Sequence, residues 1–191
     1  MRQHTRVKIH PSSVVFALAL MLLEGSAICL IPFAAALCHE LGHIAAMLIF
    51  GIHANRFELT LFGAQIDTLP LGTDIFKAVT IYAAGPTANI ICATVTAMLW
   101  QSPGSTLFCA CSISLAVINL LPIRSLDGGG IAEAILSEIT PLHAHVILNA
   151  LSAATLFLLW LLAVYLLLLF DGNISLLLFC EYLFVTLFFQ R

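Results

Sequence analysis

The hexapeptide Cys38-His39-Glu40-Leu41-Gly42-His43 lies inside an apolar run from Val14 to Phe50 whose only other charge is Glu24. An apolar run of this length belongs in a membrane, and hydrocarbon penalises imidazoles and carboxylates heavily. A chain that keeps two histidines and a glutamate there is using them. On a helix, residues i and i+4 lie about 40° apart around the axis, so His39 and His43 aim two imidazoles at one point with Glu40 beside them. That is the zincin arrangement of two metal ligands and a carboxylate base. Histidines satisfied by carbonyls in a helix bundle are the alternative, but they leave a buried Glu40 carboxylate unaccounted for.

The rest of the chain agrees with a membrane setting. Of 191 residues, 61% are hydrophobic and 9% charged, too few charges to cover a soluble domain of this size. Arg2, Arg6 and Lys8 give the opening residues the look of a signal-peptide n-region. No small-residue cleavage site follows a short apolar core, and further spans come after it, so a retained first span is expected. The six cysteines, Cys29, Cys38, Cys92, Cys109, Cys111 and Cys180, are scattered through apolar segments and read as small buried hydrophobes. Cys38 points about 100° away from His39 on the same helix and is left out of the site.

Apolar segments and turn residues predict an all-α polytopic membrane protein of six transmembrane helices, with a small β-hairpin between helices two and three. The spans are expected at 12–23, 27–50, 75–100, 106–121 and 143–170, with a sixth closing the chain, and Pro32 is a candidate kink in the second. Gln101 to Ser105 reads as a plain turn. Within the polar stretch from Gly51 to Asp74, Phe57-Glu58-Leu59-Thr60-Leu61 alternates apolar and polar residues, Phe62-Gly63 breaks the pattern, and Ala64 to Leu69 resumes it. That is a hairpin signal.

Six spans put both termini on one side. All 7 Lys and Arg residues then fall on a single face, and the opposite turns carry Glu24 and Asp171. The positive-inside rule makes the basic face cytoplasmic. His39 precedes Phe50 by roughly 16 Å at about 1.5 Å per residue, near the middle of a hydrocarbon core about 30 Å thick. The metal would sit inside the membrane, approached from the cytoplasm.

Hydrolytic zinc takes three protein ligands and leaves one position open. Among the remaining acids, Glu24 and Asp171 belong to the far face, Glu58, Asp67 and Asp74 to the loop, and Glu181 to the last span. Asp127, in Ser125-Leu126-Asp127-Gly128-Gly129-Gly130, is the best candidate, since its glycines let backbone fold back beside a metal in non-helical form. The alternative is a helix-capping aspartate before a helix over Ile131 to Ser137. His53, His143 and His145 are read as interfacial, and Asn89 with Gly85-Pro86 as an aid to close helix packing.

Three stretches now stand out together: His39-Glu40-Leu41-Gly42-His43, Ala84-Gly85-Pro86-Thr87-Ala88-Asn89, and Asn119-Leu120-Leu121-Pro122-Ile123-Arg124-Ser125-Leu126-Asp127-Gly128-Gly129. They resemble the three signatures of the site-2 protease family of intramembrane zinc metalloproteases. Order and spacing are similar to its compact six-span branch, typified by a sporulation protease that releases a membrane-tethered sigma factor, and Lys8-Ile9-His10-Pro11 is similar too. The resemblance covers nearly the whole chain.

The resemblance implies a single transmembrane zinc metalloprotease domain over residues 1–191 that binds one Zn2+ through His39, His43 and Asp127. It implies Glu40 as general base, Asn119 steadying the substrate carbonyl or oxyanion, and a membrane-associated hairpin over Phe57 to Leu69. The implied partners are a membrane-tethered protein substrate, such as a pro-sigma factor, the lipid bilayer and a regulatory membrane protein, with no nucleic acid. Ser125 stands where the family often has proline, and Gly130 where it often has a polar or basic residue. Appended PDZ or CBS domains are not expected. The competing function is a non-catalytic zinc-binding scaffold that retains a client protein; a metal or proton transporter ranks last, because the last two spans offer almost no ionisable relay.

Overall fold

The structure is a computed structural model and describes residues 6–9, 27–52, 56–60, 63–66, 74–169 and 175–189. The expected first span at 12–23 and the turn at 171–173 lie outside the described residues. Contacts divide the chain into two compact units, Met1–Ile118 and Asn119–Arg191, and each is described by itself.

The first unit begins with strand β1 (Arg6–Ile9) and a 3-10 turn (Ala27–Leu30) that runs into helix α1 (Ile31–Ile49). Pro32 falls in the first turn of α1, where its missing N–H has no helical partner to lose, so it opens the helix rather than kinking it. Gly51 closes α1 with φ 65° while the Ile52 N–H returns to the Met47 carbonyl at 2.9 Å, a Schellman ending that needs glycine's left-handed conformation. Strands β2 (Arg56–Thr60) and β3 (Gly63–Ile66) follow. They pair antiparallel, with Phe57 opposite Ile66 and Thr60 opposite Gly63. The other edge of β2 is taken by β1, parallel, with Arg6 opposite Arg56 and Ile9 opposite Leu59. That third strand is an addition to the two expected from the alternation.

Helix α2 (Ile75–Leu99) is capped by Asp74, whose carboxylate accepts from Phe76 N–H at 2.9 Å and Lys77 N–H at 3.3 Å. Helix α3 (Pro103–Asn119) starts inside the segment read as a plain turn. Pro103 occupies its first position and Ser102 Oγ accepts the Ser105 N–H at 3.1 Å, so a proline and a capping serine begin a helix there.

The buried stripe of α1 holds Ala35, His39, Glu40, His43, Ala46 and Met47, and that of α2 holds Ala78, Ile81, Gly85, Pro86, Asn89 and Ala93. Both follow the helical period. The stripes pack closely because a Cβ at Gly42 would stand 2.5 Å from the Ala84 carbonyl oxygen and 2.7 Å from the Ala88 Cβ. Small residues set this spacing, as in helix pairs that associate without a hydrophobic driving force.

The second unit contains α4 (Asp127–Ile139), α5 (Ala144–Leu169) and α6 (Ser175–Phe189). The three glycines after Asp127 were expected to be non-helical; they form the buried first turn of α4 instead. Their use is close approach, since a Cβ at Gly128 would collide with the Leu120 carbonyl and one at Gly129 with the Ile123 carbonyl. The tight segment before α4 is tied to α5 by Ser152. Its hydroxyl accepts from the Arg124 N–H at 3.0 Å and donates to the Pro122 carbonyl at 3.3 Å. Below it Ile123, Leu156 and Leu183 form a core flanked by Leu121, Leu126 and Leu159.

Outward faces are apolar. Ile49 is 81% exposed, Met98 78% and Leu168 77%, whereas His39 and Asn89 are buried. This reversal of the soluble pattern is that of a membrane protein. Among the described residues, three helices are long and apolar enough to cross a bilayer, Ile31–Ile49, Ile75–Leu99 and Ala144–Leu169, and Pro103–Asn119 is a shorter apolar one.

Replacing Ser152 by alanine leaves the Pro122 carbonyl and the Arg124 N–H without this partner. A loss of about 1–2 kcal/mol is expected. Thermal unfolding of the purified protein in detergent checks it, and an unchanged midpoint would show that other groups hold the segment.

Candidate metal centre

His39 and His43 are one turn apart on α1 and nearly buried, at 4% exposure each. Their Nε2 atoms lie 3.2 Å apart and the rings meet edge to face at 79°. A tetrahedral zinc bound at about 2.0–2.1 Å sets two ligand nitrogens roughly 3.3 Å apart, so the pair fits that ion.

Each ring is held from behind by α2. His43 Nδ1 stands 2.7 Å from the Ile81 carbonyl oxygen. A carbonyl only accepts, so Nδ1 carries the proton and Nε2 of neutral His43 keeps its lone pair for a metal. Asn89 Nδ2 lies 3.2 Å from His39 Nδ1. Asn89 is wholly buried, and its Oδ1 has no hydrogen-bond partner among the described residues.

The His43 ring also dictates the residue at position 85. A Cβ there would collide with His43 Nε2, and the next nearest atoms are of the same ring. Pro86 follows, a proline inside α2 with no N–H for the helix. The stretch Ala84 to Asn89 thus does more than permit packing: Gly85 clears room for one imidazole and Asn89 contacts the other.

Glu40 is buried on the same helix as both histidines. Asn119 and Asp127 belong to the second unit and are half-buried; Asn119 is the last residue of α3 and Asp127 the first of α4. Asp127 is not the helix cap of the alternative reading. The cap position is Leu126, and Asp127 lies inside the first turn, where the helix dipole favours a negative charge. His143 and His145 are exposed, and His145 Nδ1 approaches Glu133 Oε1 at 3.4 Å. His53 lies outside the described residues.

Two polar residues escaped the reading of the sequence as partners, Asn89 and Ser152. Each had a periodic signal. Asn89 continues the buried series 78, 81, 85, 89, 93, and Ser152 stands midway between the buried Leu148 and Leu156.

Comparison with known proteins bears out the resemblance to site-2 proteases. Residues 105–161 match peptidase family M50. The chain is 31% identical over 150 residues, 73% of its length, to "Stage IV sporulation protein FB" of Bacillus subtilis (strain 168). It is 30% identical over 119 residues, 58% of its length, to a Synechocystis protein carried under the provisional name zinc metalloprotease sll0528. It spans 51% and 31% of the lengths of these two relatives. Among solved structures, the site-2 protease from Methanocaldococcus jannaschii shares the fold, with a TM-score of 0.64, 21% identity, and coverage of 98% of this chain and 91% of that one.

Changing Gly85 to alanine forces a methyl group into the His43 ring. Zinc affinity, measured by chelator competition on the purified protein, is expected to fall about 10–100-fold with helix content unchanged. An affinity equal to wild type would mean that the ring can step aside.

Proposed function

We propose, from a chain that carries a peptidase family M50 segment and shares the site-2 protease fold, that residues 1–191 act as one intramembrane zinc metalloprotease domain. The observation that carries this reading is the pair of buried Nε2 atoms 3.2 Å apart on a helix that also buries Glu40. His39 and His43 supply two ligands to one Zn2+ and, by the likeness of the motif around Asp127 to that of site-2 proteases, Asp127 supplies the third, a two-histidine, one-carboxylate donor set of the kind hydrolytic zinc uses.

When bound, zinc polarises the scissile carbonyl and makes water acidic enough to be deprotonated near neutral pH. Glu40 takes the proton of the attacking water and passes it to the leaving amine. The Asn119 amide donates to the oxyanion as it forms. The surroundings of Glu40 exclude bulk water, which strengthens each of these interactions.

The protein crosses the membrane six times. Among the described helices, α1, α2 and α5 are long and apolar enough for three of these crossings, and the apolar pattern of the sequence supports the others. Its termini and basic loops face the cytoplasm. The substrate is the membrane-tethered segment of another protein, and likeness to a sporulation protein favours a pro-sigma or similar regulatory factor, with a membrane protein as regulator. A peptide bond in a helix is shielded, so the substrate unwinds and adds as a strand to the membrane-associated hairpin. With β1 already on β2, the edge for that strand is β3.

The test is terminal-peptide mapping of membrane proteins in cells that express wild type or Glu40→Gln at matched levels. New chain ends inside or beside predicted spans are expected with wild type alone. Equal sets of ends, with zinc occupancy confirmed, would favour the non-cutting scaffold. Deleting Glu58 to Gln65 is expected to slow cleavage or move the cut; an unchanged rate and site would remove the hairpin from the account.

A further inference from the structure

The hydrogen bonds around the two histidines fix more than their position. His43 Nδ1 donates to the Ile81 carbonyl, so His43 Nε2 is an acceptor. His39 Nε2 approaches that acceptor at 3.2 Å, which is a hydrogen bond only if His39 carries its proton on Nε2. His39 Nδ1 is then an acceptor, and it faces the amide nitrogen of Asn89 at 3.2 Å. These three contacts form one consistent set.

A zinc held by both Nε2 atoms needs a different set. Both lone pairs must face the ion, so a neutral His39 moves its proton to Nδ1. That N–H then points at an Nδ2 that can only donate. Buried at this depth, two donors facing one another are not tolerated. The side-chain oxygen of Asn89 is the remedy at hand, because the two ends of an amide are nearly alike in shape and a half-turn about its last bond exchanges them. The exchange leaves no group worse placed: in either orientation one end of the amide faces His39 and the other is the end that has no partner among the described residues.

We propose that Asn89 is a positioning residue for the metal centre, its Oδ1 accepting the Nδ1–H of His39 when zinc is held and its amide reversing when His39 Nε2 donates to His43. This rests on the zinc site assigned above. Asn89 thereby sets the tautomer and the direction of His39, while the Ile81 carbonyl does the same for His43 without moving. One ligand is permanently set for metal and the other is set by a side chain that can turn.

A residue that merely fills space at the helix contact would tolerate an isosteric apolar side chain and resist a buried charge. A metal-positioning acceptor has the opposite preference, since a carboxylate oxygen replaces the amide oxygen and leucine supplies none. Zinc affinity of the full chain in detergent is therefore measured by chelator competition for wild type, Asn89→Asp and Asn89→Leu. Asn89→Asp is expected within about threefold of wild type or tighter, and Asn89→Leu about 10–100-fold weaker. Leucine matching wild type, or aspartate weaker than leucine, overturns the proposal and leaves the zinc site standing. A wild type with no zinc affinity overturns both.

A second measurement does not depend on either variant folding. In 15N-histidine spectra of the zinc-loaded wild type, both ligand histidines are expected to show a protonated Nδ1. A metal-bound His39 with bare Nδ1 overturns the role given to Asn89.

Discussion

Lipid offers an imidazole nothing to bond to, and this structure is arranged around that fact. Four ring nitrogens lie buried on α1, and α2 brings the Ile81 carbonyl and the Asn89 side chain to the two that face away from the shared point. The other two, the Nε2 atoms, face each other at 3.2 Å. A histidine pair without those supports would have to turn outward or go unsatisfied, at a penalty comparable to a lost buried hydrogen bond for each group. Close packing of α1 on α2 follows from this requirement. The second helix must come near enough to supply a carbonyl and an amide, which is why Gly42 and Gly85 face side chains or backbone that a Cβ would strike.

The second unit solves a related problem with a different device. The segment from Leu120 to Leu126 turns tightly and exposes backbone groups in an apolar setting. Part of the answer is internal, through the Ile123 N–H on Leu121 and the Leu126 N–H on Ile123. Part comes from the hydroxyl of Ser152, which serves a donor and an acceptor at once. Gly128 and Gly129 then let the start of α4 press against the same turn. Asp127 and Asn119 flank this segment, so the residues that hold the turn also decide where an acid and an amide stand in their unit.

Much of this was legible from residue order. The spacing of His39 and His43 sufficed to place two rings on one helix face, and the expected starts and ends of α1, α2 and α5 lie within a few residues of those found. Polar punctuation was less transparent. Pro32 and Pro103 each open a helix, although a kink was expected at one and a plain turn at the other, because a proline's effect depends on whether its missing N–H falls in a first turn. The glycines after Asp127 suggest irregular backbone when read from sequence and serve a helical first turn in the fold, because a missing Cβ permits close approach as readily as unusual dihedrals. Pairing of β1 with β2 links residues some fifty positions apart in the chain, as Arg6 with Arg56, and no local pattern reports that.

The sequence by itself determined the solvent and pointed to the chemistry: a chain so poor in charge belongs in lipid, and a His-Glu-x-x-His motif at helical spacing puts two imidazoles and a carboxylate together on one helix. Those are properties of composition and of one helix's period, which need no partner element. The tertiary structure alone decided which groups stand behind each imidazole and which nitrogen of His43 carries the proton. Asn89 lies fifty residues from His39, and Ile81 acts through a carbonyl that every residue possesses. Identity of a side chain cannot announce such contacts, because they arise only when two helices approach closely enough for the backbone of one to meet the side chains of the other.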